Sequence, residues 1–229
     1  MDVNGMVKLN SKEKTILLNA PFIGAGDDIS AAKLMEASTI VTVPARSVLF
    51  RAGDHAEHLY CVLNGYVRLY RLSKDGREAD VRICGPGDSF NECLIFGADR
   101  YHYHAQAAES CTVSRFDLQH LRTMVEDDPK IARTLMQWLS RSLLTTMDCV
   151  ANDRLQTAPQ RVANYLVTQG PRDVTSFSLR LPFQKSVLAG KLGLAPEALS
   201  RAFSSLRDAG VIVRGRIIQV SDIAALKQL

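Results

Sequence analysis

Between residues 39 and 116 the apolar positions fall in short runs with a spacing of two, each closed by a turn rich in glycine, asparagine or aspartate. The runs are 39–43 (TIVTV), 48–50 (VLF), 59–63 (LYCVL), 66–71 (YVRLYR), 79–83 (ADVRI) and 111–116 (CTVSRF). Turn chemistry separates them at 52–54 (AGD), 64–65 (NG), 75–76 (DG) and 85–88 (GPGD). Regular short strands with such turns predict an antiparallel sandwich or barrel, with Asn64-Gly65 and Asp75-Gly76 as its hairpin turns. A short helix over 30–37, capped by Ser30, leads into it.

After residue 116 the apolar spacing changes to three and four. Asp117 caps a short helix reaching about residue 125, and Asp128-Pro129 places proline in the first turn of a much longer one, ending near 155. Its apolar residues Met136, Leu139, Leu143, Met147 and Val150 form a stripe that Leu135 and Trp138 widen. Roughly 27 residues span about 40 Å at 1.5 Å each, longer than a barrel of this size needs to close its core. The surplus stripe predicts a partner helix and hence a homodimer. Shorter helices follow at 160–169, 183–191 and 196–208, with a strand at 177–182, a hairpin over 211–220 and a terminal helix from about 221. The chain is therefore expected to be α+β. An N-terminal antiparallel β jelly-roll barrel takes residues 1–127, a long dimerisation helix 128–155, and a C-terminal winged helix-turn-helix 156–229.

Hydrophobic residues at 46% and charged ones at 23% are ordinary globular values, which excludes a disordered tail or a collagen-like chain. No secretory leader pattern and no run of eighteen apolar residues is present, so the cytoplasm is the expected compartment. Cys61, Cys84, Cys93, Cys111 and Cys149 are scattered and form no C-x-x-C pair, and they are expected to fill core space. Charge is divided unevenly. Residues 1–153 carry 17 Lys and Arg against 20 Asp and Glu, whereas residues 154–229 carry 11 against 4. A compact basic domain concentrates near polyanions and releases counterions on binding them, which points to double-stranded DNA as a partner.

The helices at 183–191 and 196–208 carry the features of a DNA reader. A helix-turn-helix needs a small residue where the helices cross, a turn glycine and an apolar lock. Ala189, Gly193, and Leu188, Leu192, Leu194, Leu199 and Ala202 fill those places. Glu197, Ser200 and Arg201 then share one face of the second helix, opposite Leu199, Phe203 and Leu206. Arg201 suits guanine O6 and N7, Glu197 the amino group of cytosine, and Ser200 a neighbouring base. The alternative for Glu197 and Arg201 is an intrahelical ion pair. Lys185, Lys191, Arg207, Arg214 and Arg216 are the candidate backbone contacts, with Arg214-Gly215 at the tip of the wing.

Jelly roll, long helix and winged reader together resemble the Crp/Fnr superfamily of bacterial transcription regulators over nearly the whole chain. In the roll the similar residues are 48–50 with Gly53-Asp54, Leu59-Tyr60, 63–70 (LNGYVRLY), and 87–90 (GDSF) with Glu92. In the reader, 197–201 (EALSR) is similar to the E-x-x-S-R signature of the Fnr branch, which implies half-sites of the TTGAT kind. Pro196-Glu197 with Ser200-Arg201, preceded by 188–190 (LAG), most resembles the nitric oxide-responsive denitrification regulators of the DNR and NnrR type.

The resemblance implies an allosteric sensor whose effector pocket contains Glu92, Arg100, Tyr101, His102 and His104. Cyclic-AMP receptors of the superfamily follow their pocket glutamate with an Arg-Ser or Arg-Thr pair, and Tyr101 replaces that hydroxyl residue here, which argues against cyclic AMP. Residues 1–60 contain no cysteine, which argues against an iron-sulfur cluster. Haem remains as the family precedent, with His102 and His104, two apart on a strand, as candidate ligands. RNA polymerase is an implied partner, for which 74–76 (KDG) and 170–172 (GPR) are exposed-loop candidates. No nucleophile and base set supports an enzyme. Two alternatives stand beside this reading: a cyclic-nucleotide-responsive regulator, and a metal-dependent jelly-roll enzyme using His55, His58, His102, His104 and Glu92.

Overall fold

The structure, a computed structural model, describes residues 9–24, 27–171, 174–181 and 183–229, without the side chains of Asp28, Asn152 and Asp153. Arg172 and Pro182 lie outside the described residues. The chain divides into two compact units, residues 1–146 and 147–229, and the boundary falls inside the long helix.

In the first unit, helices α1 (Ser11–Leu18), α2 (Pro21–Gly24) and α3 (Asp28–Glu36) precede the strands. Helix α1 was not expected from the apolar pattern, because only Leu17 of its residues is buried. A capping box starts it: the Asn10 side chain accepts from Glu13 N at 2.9 Å, and Asn10 N donates back to Glu13 at 3.1 Å. Asp27, not Ser30, caps α3; its carboxylate accepts from Ser30 N at 2.8 Å, and Ser30 itself is buried.

Eight strands follow: β1 (Ser38–Val43), β2 (Val48–Phe50), β3 (His58–Asn64), β4 (Val67–Leu72), β5 (Glu78–Cys84), β6 (Ser89–Phe90), β7 (His104–Ala107) and β8 (Cys111–Asp117). They form two antiparallel four-stranded sheets, in the orders β1-β8-β3-β6 and β2-β7-β4-β5. Asp75-Gly76 turns the β4–β5 hairpin as expected. Asn64-Gly65 does not make a hairpin, since β3 and β4 belong to different sheets. It carries the chain across the sandwich, and Gly65 is required there. Its φ is +73°, and a Cβ would meet Ser110 O at 2.6 Å. Strands β6 and β7 are too short to give a readable period, and they escaped the sequence reading.

Aromatic rings fill much of this core. Phe22 meets Phe116 edge-on at 5.2 Å, Tyr60 stacks on Phe90 at 5.2 Å, and Phe50 stacks on Tyr101 at 3.7 Å. Helix α4 (Leu118–Asp127) starts at Asp117, which accepts from His120 N at 2.7 Å, and α5 (Pro129–Leu155) follows at once. Ile131, Leu135 and Trp138 of α5 are buried in the core of the first unit, with Leu139 packed against it. Leu135 therefore belongs to its own roll rather than to a partner helix. Met136, Leu143, Met147 and Val150 remain exposed, as does Leu144.

The second unit holds α6 (Ala158–Gln169), β9 (Phe177–Arg180), α7 (Lys185–Lys191), α8 (Pro196–Ser205), β10 (Val211–Arg214), β11 (Ile217–Val220) and α9 (Ile223–Lys227). Strands order as β10-β11-β9, antiparallel throughout. Arg214 is paired with Ile217 inside the hairpin, so the wing tip is Gly215-Arg216, one residue later than expected. Helix α8 ends at Ser205, short of residue 208. Among the described residues, no helix is long and apolar enough to cross a membrane.

Candidate nucleic-acid interface and effector pocket

Helices α7 and α8 meet through the turn at residues 192–195. Gly193 takes φ +63°, which lets Leu194 N donate to Ala189 O at 2.9 Å. Of the five lock residues Leu188, Leu199 and Ala202 are buried, together with Ala189, Phe203 and Leu206, whereas Leu192 and Leu194 in the turn are only half-buried. Pro196 occupies the first turn of α8.

Locking one side of α8 leaves Glu197, Ser200 and Arg201 together on its exposed side. Among the described residues no ion pair joins Glu197 to Arg201, and both heads are available to a ligand. The Ser200 hydroxyl donates to Pro196 O at 3.0 Å, leaving its lone pairs for an incoming donor. Lys185, Ser186, Pro196, Leu199, Ser200, Phe203 and Val213 line a depression of about 220 Å³, which brings Lys185 beside Ser200. Lys191, Arg207, Arg214 and Arg216 are exposed. This face can read base edges in a groove while cations hold phosphates.

The five residues expected in the effector pocket separate. Glu92 opens a single 3₁₀ turn (Glu92–Ile95) after Asn91, whose φ of +76° swings the chain into it. It is only 7% exposed, and its Oε1 has no hydrogen-bond partner. Burial pushes its pKa up, against a bond from the Ser89 side chain. Arg100 and Tyr101 lie instead on a cleft of about 570 Å³ with Phe50, Gly53, Asp54, His55, Glu57 and Tyr60, and Glu92 does not line it. Arg100 Nη1 donates to Gly53 O at 2.7 Å. The buried Tyr101 hydroxyl accepts from His58 N at 3.0 Å and Glu57 N at 3.2 Å.

His102 and His104 do not form the expected pair on one strand face. His102 sits in an exposed bend before β7. His104 is paired with Tyr70 and stacks on its ring at 5.0 Å, while its Nδ1 accepts from Ala52 N at 3.4 Å. The buried Ala105 faces Leu69 on the other side of the sheet. His104 is thus engaged with Tyr70 and Ala52, while His102 faces solvent. Among the described residues no three His, Cys, Asp or Glu side chains gather in a metal-binding arrangement. His55, His58, His102, His104 and Glu92 are thus not gathered into such a set.

Sequence reasoning missed Arg82. Its guanidinium donates to Ser89 O at 3.2 Å and to Asp88 at 3.4 Å, and Glu92 and Cys84 are charge neighbours. The available signal was an arginine two residues before the buried Cys84 on one strand. Ser114, Cys61 and Ser89 are buried and stand directly opposite one another across β8, β3 and β6. Burial, Asp88, Glu92 and Cys84 push the Cys61 thiol up to about 12. Cys93 and Cys149 are exposed, so two of the five cysteines fill no core space.

Residues 40–128 match the cyclic nucleotide-binding domain family, and residues 160–229 match the Crp-like helix-turn-helix domain family. The chain is 27% identical over 212 residues to a CRP-like cAMP-activated global transcriptional regulator of Mycobacterium tuberculosis, covering 90% of this chain and 95% of the relative. The solved structure of FixK2 from Bradyrhizobium japonicum superposes with a TM-score of 0.69 at 26% identity, covering 84% of this chain and 96% of the other. DNR from Pseudomonas aeruginosa superposes with a TM-score of 0.54 at 25% identity, covering 97% and 99%.

Proposed function

Because the chain belongs to the Crp/Fnr family of transcription regulators, we propose that it acts as a homodimer reading an inverted DNA repeat with TTGAT-like half-sites. One observation carries this reading: Glu197, Ser200 and Arg201 stand exposed on α8 while its other side is locked into the second unit. Two copies related by a two-fold axis enter successive major grooves about one helical turn apart. Met136, Leu143, Met147 and Val150 supply the dimer contact, with the half-buried Leu139 at its edge. Lys185, Lys191, Arg207, Arg214 and Arg216 hold the backbone.

The roll is the sensor, and Glu92 marks its effector site. An effector moves the equilibrium only by binding one arrangement of the dimer more tightly than another. The resemblance of residues 188–201 to the DNR and NnrR type of regulator favours nitric oxide as the signal with haem as its receptor, whereas His104 is held on the Tyr70 ring and His102 lies in an exposed bend. Similarity to a cAMP-activated relative favours a small polar effector. The exposed turn at Lys74, Asp75 and Gly76 is the proposed contact with RNA polymerase.

Selection from random duplex DNA by the full-length protein tests the reading. The expected product is an inverted repeat with half-sites one turn apart. A pool with no two-fold preference refutes it.

A further inference from the structure

The cleft that excludes Glu92 lies where the loop between β2 and β3 meets the residues before β7. Three backbone bonds tie these two segments together: Gly53 N donates to Tyr101 O at 2.9 Å, Tyr101 N to Asp54 O at 3.0 Å, and Ala56 N to Asp99 O at 2.8 Å. The Tyr101 hydroxyl adds two more by accepting from Glu57 N and His58 N. Phe50, Tyr60 and Tyr101, each at most 8% exposed, give the cleft an aromatic lining, with Phe50 stacked on Tyr101. Its frame is therefore fixed before any ligand arrives.

Both signs of charge line this cleft without pairing with each other. Asp54, Glu57 and Arg100 are exposed on it. Among the described residues Arg100 has no carboxylate partner; Nη1 is held by Gly53 O at 2.7 Å, which leaves the edge formed by Nε and Nη2 for a further acceptor. Its neighbour Asp99 pairs instead with Arg122 at 3.3 Å. Asp54 takes Arg51 N on Oδ2 at 2.9 Å, and among the described residues no cation meets it. Water satisfies such groups in an open cleft. The bonded loops fix their placement, and walls of low dielectric strengthen the field between them.

A lone anion on Arg100 would lie against two carboxylates, and a lone cation on Asp54 would lie against a guanidinium. A molecule carrying both signs avoids both penalties. We propose that this cleft is a ligand site separate from Glu92 and takes a small zwitterion of the α-amino acid class: Arg100 holds the carboxylate, and Asp54, with Glu57 beside it, holds the ammonium. The planar guanidinium edge matches a carboxylate with two parallel bonds. The site needs neither the DNA-reading face nor Glu92.

Calorimetry on the full-length protein tests the site with glycine, leucine, phenylalanine, glutamate and lysine as probes. At least one is expected to bind. Its amide, which lacks the carboxylate, and its N-acetyl form, which lacks the ammonium, should each bind more weakly by about tenfold or more. Arg100→Gln and Asp54→Asn should each weaken the amino acid by a similar factor; the second keeps an oxygen for Arg51 N and so preserves the turn. Thermal melting without ligand checks that each variant folds. Where one does not, the other is read, and where neither does, the two derivatives decide. Binding by none of the five probes, a derivative that binds as tightly as its amino acid, or equal binding by a folded variant overturns the proposal. Loss of binding on Glu92→Gln with none on Arg100→Gln overturns it too, because the amino acid then sits beside Glu92.

Discussion

If the proposed dimer forms through α5, two of its leucines separate folding from dimerisation. Leu135 is 1% exposed in the core of the first unit, and Leu143, two turns further along, is 62% exposed. Burying a leucine fully stabilises by about 1.5–3 kcal/mol, so covering the remaining surface of Leu143 contributes about 1–2 kcal/mol per side chain. Alanine keeps part of that contact, which leaves a loss of about 1 kcal/mol per protomer. The two-fold axis doubles it to about 2 kcal/mol, or roughly 30-fold in the dimer dissociation constant. Leu135→Ala should instead leave a cavity and cost about 2–5 kcal/mol of folding stability. Sedimentation over a concentration series reads the first effect. Thermal melting well below the dissociation constant reads the second without dimer linkage. If Leu143→Ala dimerises as tightly as the parent, or loses as much folding stability as Leu135→Ala, the exposed stripe of α5 is not the interface.

Arg201→Ala should cost about 1–3 kcal/mol at one base position and flatten the preference there, while Lys185→Ala should weaken all sequences alike and lower the salt slope by about 1; competition binding at several salt concentrations checks both. The raised pKa of Glu92 means the folded state holds its proton more tightly than the unfolded chain. Its contribution is therefore complete below the ordinary glutamate range and is lost as pH rises through the raised value. Glu92→Gln should accordingly gain on the parent as pH increases in melting experiments, and parallel profiles would count against a buried carboxyl. Gly65→Ala, with φ +73° and a Cβ 2.6 Å from Ser110 O, should destabilise by more than about 1 kcal/mol in urea unfolding; an unchanged midpoint would contradict the sheet crossing.

Local chemistry determined a large part of this protein from the sequence alone. The period change after residue 116, the Asp117 and Asp128-Pro129 starts, and the 188–206 lock are interactions between near neighbours, and helices α4, α5, α7 and α8 follow them. The shared exposed face of Glu197, Ser200 and Arg201 was legible for the same reason, since i, i+3 and i+4 positions on one helix need no tertiary information. Asn64-Gly65 shows the limit: its backbone requirement is local, but whether two strands around such a turn pair or part depends on partners far along the chain, here β8 and β7. Only tertiary packing could divide the α5 stripe, burying Leu135 and leaving Leu143 in solvent, because both satisfy one period. Strand register set Arg82 opposite Leu69 and turned His104 onto Tyr70, and register is a relation between strands that no single stretch of sequence contains.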